Sequence, residues 1–236
     1  MLIWAGGAGA QTPGTAKIAI DNAPPYRIVE LQGGKHTFSG IYVDIVRELA
    51  ARCNIRLEFV EVPFRRALMM AEEGQSDMML GPSRSPERED YMSYLVGDLG
   101  RENEAFYLSE GALDIHEYED LAGMKIGVLR GAKYFDRFDN DKSLLKLELG
   151  DYPRGVKLLQ RGKLDALIMP VLLGDYLVAR TKAFVRKSTY QVEGRASHFT
   201  VSRRSPLMSR IGELERTLAE MQTDGFIDLV KARYAE

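Results

Sequence analysis

Apolar positions along this chain alternate between two spacings, one suited to strands and one to helices. Ala16–Ile20, Ile55–Val62 and the short run Asp77–Leu80 read as strands. Ile41, Ile45, Val46 and Leu49 recur at the spacing of one helix face, with Gly40 in front of them. Pro63 opens a second helix carrying Arg66, Ala67, Met70 and Ala71, and Gly74 is placed to cap its end. Pro24-Pro25 stops any helix and makes a rigid turn, and Gly33-Gly34 marks a hairpin or loop tip. The second half repeats the theme. Met124–Val128, Leu144–Leu149 and Leu164–Met169 read as strands, and Ala132–Phe138, Tyr152–Gln160 and Val171–Arg180 as helices. Ala183–Val185 and His198–Ser202 are weaker strands, and Pro206–Tyr234 divides into two helices near Thr223–Gly225. Strands separated by helices predict an α/β protein with mostly parallel sheets flanked by helices. The halves share an architecture but no sequence repeat.

Composition narrows the picture. The chain has 236 residues, room for one large domain or two small ones. The net charge of −2 lacks the basic excess of a general nucleic-acid binder. Cys53 is the single cysteine, so no internal disulfide and no cysteine-rich zinc site is available. His36, His116 and His198 are scattered without metal-ligand spacing, and neither a metal nor a cofactor is expected. No run approaches the roughly 20 apolar residues of a membrane helix. The apolar start, Met1 to Ala10, ends in Ala8-Gly9-Ala10, which fits the small-x-small cleavage rule of secretory signals. Residues 1–15 are therefore read as a signal-peptide remnant or disordered terminus, which predicts export to the periplasm.

The most informative stretch runs from Gly74 to Arg88. A strand follows Gly74, a polar loop opens at Gly81, and Ser85 is placed to cap a helix that begins at Pro86. Backbone N–H groups at such a start favour an anion. Arg88 offers a bidentate fork to a carboxylate, and Ser83 adds a hydroxyl. A surface pair of Arg88 with Glu89 or Asp90 is the competing reading, and local chemistry alone leaves both open.

Taken in order, the motifs resemble those of the family 3 extracellular solute-binding proteins, the type II periplasmic binding proteins of polar amino acid ABC transporters. The resemblance runs from about Ala16 to Tyr234. Asp21-Asn22-Ala23-Pro24-Pro25-Tyr26 is similar to the family's opening, and Phe38 to Ile45 to its first helix start. Gly74-Gln75-Ser76-Asp77 resembles "G-k-x-D", and Ser85-Pro86-Glu87-Arg88 resembles "T-x-E-R". Asp120 to Val128 resembles the stretch that opens the second lobe, and Leu164-Asp165-Ala166 its "x-D-A" strand. The resemblance implies a two-lobed fold with ligand in the cleft and two hinge crossings, near Phe106–Leu108 and Phe199–Val201. Lobe 1 would hold residues 16–107 plus 202–236, and lobe 2 residues 108–201. It further implies that Arg88 and Ser83 meet the ligand's carboxylate and that the Gly81 carbonyl accepts from its ammonium. Asp21 would read the distal group, with Tyr26 or Phe64 packed on the ligand. The second lobe's "S-G-T" loop is here Arg130-Gly131-Ala132, which keeps only the glycine.

One departure bears on the ligand. Where many amino acid binders place an acid after the "D-A" strand to hold the ammonium, this chain has Pro170. Proline offers no acceptor, and a buried ammonium without a partner is costly. Asp175 sits further along, and Tyr26 or Tyr42 offers a cation–π contact in partial compensation. The leading expectation is a monomeric, non-catalytic protein that delivers a small carboxylate-bearing solute to an ABC transporter permease. Two alternatives stand beside it: a sensor domain acting with a separate receptor or kinase, and a cyclohexadienyl-dehydratase-like enzyme using Asp21 or Glu104 as its acid.

Overall fold

The structure, a computed structural model, describes residues 14–97, 99–109, 111–181 and 184–234. The leader-like segment through Ala10 lies outside the described residues, as does Ala183. Gly14 and Thr15, grouped with that segment in the sequence reading, begin the first strand.

The chain opens with β1 (Gly14–Ile20) and makes the hairpin β2 (Ile28–Gln32) and β3 (Lys35–Ser39). Gly33 and Gly34 form its two-residue turn, both at positive φ, as such a turn requires. There follow α1 (Ile41–Arg52), β4 (Ile55–Glu61), α2 (Phe64–Glu73), β5 (Met78–Ser83), the short α3 (Pro86–Glu89) and β6 (Met92–Tyr94). Helix α1 buries Ile41, Ile45, Val46 and Leu49, the face its spacing predicts, and Tyr42, Val43 and Ala50 besides. Gly74 ends α2 in the left-handed conformation at φ 74°.

The next run is β7 (Asn103–Ser109), β8 (Lys125–Leu129), α4 (Asp136–Asn140), β9 (Leu145–Leu149), α5 (Tyr152–Gln160), β10 (Ala166–Pro170), α6 (Val171–Thr181) and β11 (Val185–Glu193). The chain closes with β12 (Ser197–Ser202), α7 (Ile211–Thr223) and α8 (Phe226–Arg233). Two assignments differ from the sequence reading. The helix expected over 132–138 starts only at Asp136, because the Asp139 carboxylate accepts the Tyr134 N–H and holds 132–135 as a loop. β11 is far longer than its apolar pattern, because pairing along β7 extends it through polar residues up to Glu193.

The strands form two five-stranded sheets, in the orders β4-β1-β5-β12-β6 and β11-β7-β10-β8-β9. Within each, β1 and β8 pair parallel with both neighbours, as strand–helix–strand connections require. β12 and β7, which arrive from the other sheet, pair antiparallel with both of theirs, so each sheet is mixed.

The two sheets share a structural device. Asp77 accepts the Lys17 N–H at 2.7 Å and returns its own N–H to the Lys17 carbonyl at 2.7 Å. Asp165 does the same with Lys125, at 2.7 and 3.0 Å. Each aspartate thereby fixes the start of a strand against the one beside it.

The segments joining the sheets run side by side. Leu99 N–H donates to Ser197 O at 2.8 Å, Ser197 N–H to Gly100 O at 3.2 Å, and Gly194 N–H to Glu102 O at 2.8 Å. Phe106–Leu108 lies inside β7, paired on both sides within the second sheet, and Phe199–Val201 lies inside β12 in the first.

Candidate functional site

A cavity of about 390 Å³ is walled by both sheets and floored by the joining segments. Tyr26, Tyr42, Phe64, Gly81 and Ser83 come from the first sheet and its helices. Ala132, Lys133, Tyr134, Tyr152 and Pro170 come from the second, and Gly100 to Glu102, Glu104 and Ser197 lie at the floor. This is the size and position expected for a small-molecule site.

The aromatic wall is fixed before any ligand meets it. Tyr26 stacks on Tyr42 with ring centroids 4.9 Å apart. Burial pushes the Tyr42 pKa up to about 12, with Ser197 and the Arg27 charge opposing the rise. Burial, with the Glu102 carboxylate beside it, raises the Tyr26 pKa well above the ordinary phenol range. Gly81 sits against this pair at φ 86°, where a Cβ would come 2.5 Å from the Tyr42 ring. Only glycine suits that place.

Beneath the wall lies a buried ion pair. Arg27 donates through Nε to Asp21 Oδ1 at 2.9 Å and through Nη2 to Oδ2 at 3.2 Å, with Nη1 on the Leu80 carbonyl at 3.0 Å. Burial opposes the charge on Arg27, but the Asp21 carboxylate raises its pKa above the ordinary value.

The floor is acidic. Glu104 is 9% exposed, and its Oε2 is buried without a hydrogen-bond partner. Burial, with the neighbouring charges of Glu102 and Asp139, pushes its pKa up to about 8. Glu102 Oε2 is also buried without a partner. Burial raises the Glu102 pKa, against the lowering effects of neighbouring Tyr26 and of the Lys231 charge.

The family model for bacterial extracellular solute-binding proteins, family 3, matches residues 16–236. The chain belongs to this family. No match is found among curated proteins. Among solved structures, an ancestral arginine-binding protein bound to arginine aligns at TM-score 0.83 and 19% identity, over 95% of this chain and 100% of that one. The substrate-binding protein of an amino acid ABC transporter aligns at 0.80 and 18%, over 94% and 99%. A histidine kinase sensor domain aligns at 0.81 and 17%, over 95% and 97%. These likenesses give the two-lobed fold.

Against that family pattern, Tyr26, Phe64, Gly81, Ser83 and Ala132 line the cavity, whereas Asp21, Arg88, Arg130 and Gly131 do not. Asp21 has both carboxylate oxygens on Arg27, which leaves it unsuited to read a ligand's distal group. Arg88 is 4% exposed and does not itself line the cavity. Its Nη1 donates to Ser83 O at 2.6 Å and Ser83 Oγ at 3.1 Å, and its Nη2 to Gly131 O at 2.7 Å. It is therefore a strut between the sheets rather than an open fork. The turn that carries it is only four residues long, too short for a helix-start anion site, and the Ser85 hydroxyl bonds Glu87 instead of capping it.

Arg88 still reaches the cavity indirectly. Because Ser83 Oγ accepts from it, the Ser83 hydroxyl hydrogen is available to an acceptor inside. Arg88, Arg130 and Gly131 line a second, more open depression of about 1000 Å³, and Ala132 and Lys133 border both. Arg130 itself pairs with Glu148 at 3.0 Å on the surface. Asp175 is engaged by the Tyr107 hydroxyl at 2.8 Å and by Lys187 at 2.6 Å, away from the cavity.

Sequence reasoning missed Arg27, Glu102, Arg195 and Lys231, all of which line the cavity. Lys231 comes from α8, far along the chain, and no local pattern announces it. Glu104 carried a readable signal: it heads the apolar run Ala105-Phe106-Tyr107-Leu108, which makes it an acid on a buried strand.

Proposed function

We propose that this chain is an exported, non-catalytic binding protein that captures a small carboxylate-bearing, amino-acid-like solute and delivers it to an ABC transporter permease. The observation that carries the reading is the cavity shared by both sheets, in a chain of the solute-binding family. A solute held there touches both lobes at once, so binding favours the closed arrangement. The paired segments 99–102 and 194–197 serve as the hinge, with residues before and after them forming one lobe and the chain between forming the other.

The Ser83 hydroxyl, backed by the Arg88 charge, and the Lys133 ammonium suit the solute's carboxylate. Lys133 has only a long pairing with Glu87 at 3.9 Å, which leaves it able to turn inward. Phe64 and the Tyr26–Tyr42 stack pack the apolar portion. The relatives support a solute of this class, since one is described as an arginine-binding protein and another as part of an amino acid ABC transporter. The likeness to a histidine kinase sensor domain supports a second reading, in which the same closure reports to a separate receptor.

A thermal-shift screen of the purified chain against amino acids, keto and hydroxy acids and short peptides tests this reading. A solute that binds only the folded state adds about 2.7 kcal/mol of stability at a hundredfold excess over its Kd. A raised melting midpoint for one chemical class of carboxylate is expected. No shift from any of them would sink the reading.

A further inference from the structure

The register of β7 against β10 places Glu104 directly opposite Pro170. Pro170 lines the cavity and offers no side-chain acceptor, so the strand end that would carry an acid for a ligand's cation carries none. Glu104 brings a carboxylate to the same level from the neighbouring strand. Its surroundings are anionic or neutral. Glu102 lies two residues away on the chain, and Asp139 faces it from α4. The phenols of Tyr26, Tyr134 and Tyr152 also feel its charge.

Two of the cations near this end are held in ion pairs, and a third acts on Glu102 by its charge alone. Arg27 is held by Asp21, and Arg195 by Asp136 and Asp139. Lys231 acts on Glu102. Among the described residues, no protein cation lies within ion-pair distance of Glu104. Two buried carboxylate oxygens, Oε2 of Glu104 and Oε2 of Glu102, thus border the cavity without a protein partner. Such an arrangement is costly for the protein alone and is relieved by a donor brought from outside.

We propose that Glu104, with Glu102 beside it, is the subsite that receives the positively charged nitrogen of the ligand. This deepens the amino-acid reading above and rests on it. The solute carries its amine at this floor and its carboxylate toward Ser83 and Lys133. Glu104 gives up its proton as the cation enters, so binding near neutral pH releases a proton to solvent.

Titration calorimetry tests it, with the twenty L-amino acids and, for each that binds, the matching acid that lacks the amine. Wild-type protein is expected to bind the amine-bearing compound at least a hundredfold more tightly. E104Q is expected to lose thirtyfold or more of that affinity and to leave the amine-free acid within threefold. Repeating the titration in two buffers of different ionisation enthalpy reads the proton release directly. Equal or tighter binding of the amine-free acid by wild type overturns the proposal and leaves the solute-binding reading standing. So does an unchanged affinity in a folded E104Q. If no compound of either kind binds, both fall together. The wild-type comparison needs no variant, so a poorly folding E104Q does not rescue the idea.

Discussion

At the residue scale, the cavity is governed by which polar groups the protein satisfies by itself. Asp21 and Arg27 satisfy each other, and Arg88 satisfies two carbonyls and a hydroxyl. Glu104 does not, and this has a consequence for stability. Its pKa rises from the ordinary 4.5 to about 8 on folding. Below about pH 4.5 both folded and unfolded chains hold the proton, and this contribution to stability is complete. Between there and pH 8 the unfolded chain releases the proton while the folded one keeps it, so stability falls by up to about 1.4 kcal/mol per pH unit. Above pH 8 the loss is complete. Urea melts of E104Q across pH 5 to 8 are expected to show a flatter decline than wild type. Glu102, raised in the same direction, retains a remaining slope. Parallel declines in the two proteins would show that Glu104 is not the titrating group.

At the element scale, short structural features set the site more than the long helices do. The positive φ of Gly81 within β5 lets that strand pass under the Tyr42 ring, and the Asp77 and Asp165 brackets fix where β5 and β10 begin. Gly81→Ala places a Cβ against both Tyr42 and the Arg27 guanidinium, in a conformation that side chains rarely adopt. The strained backbone alone costs about 1–3 kcal/mol. A melting midpoint lowered accordingly is expected, together with weakened binding of whichever solute the screen returns. A variant as stable as wild type would mean that Tyr42 moves aside. The motif aspartates show how a family signature can be structural. Both sit in segments that resemble family motifs, yet their carboxylates bond backbone N–H groups rather than the cavity.

At the scale of the whole molecule, Arg88 to Gly131 is a direct polar contact between the lobes. Arg88→Ala leaves the Gly131 carbonyl and the Ser83 oxygens without that donor, a loss worth about 1–3 kcal/mol. Small-angle scattering of the variant without solute is expected to show a larger mean radius than wild type, because the strut between lobes is gone. Saturating solute is expected to compact both proteins. Identical curves for variant and wild type would assign Arg88 a role within its own lobe only.

Much of the architecture was legible in the sequence. Helices α1, α2, α5 and α6 declare themselves by the spacing of their buried positions, and Gly74 and the Gly33-Gly34 turn by the backbone they must adopt. These are local properties: the period of burial and the sterics of one residue act within a turn or two. The motif order carried the family likewise. The site was legible only in part. Tyr26, Phe64, Gly81, Ser83 and Ala132 were nominated from the sequence and border the cavity. The direction of Arg88, the capture of Asp21 by Arg27 and the placing of Lys231 from α8 depend on partners distant in the chain or in space. The same holds for Glu104 opposite Pro170, a pairing fixed by antiparallel register between strands some sixty residues apart. Local sequence determines what each segment is. Which polar groups find one another, and which are left facing the cavity, is decided only when the sheets assemble, because burial and pairing energies belong to the packed whole.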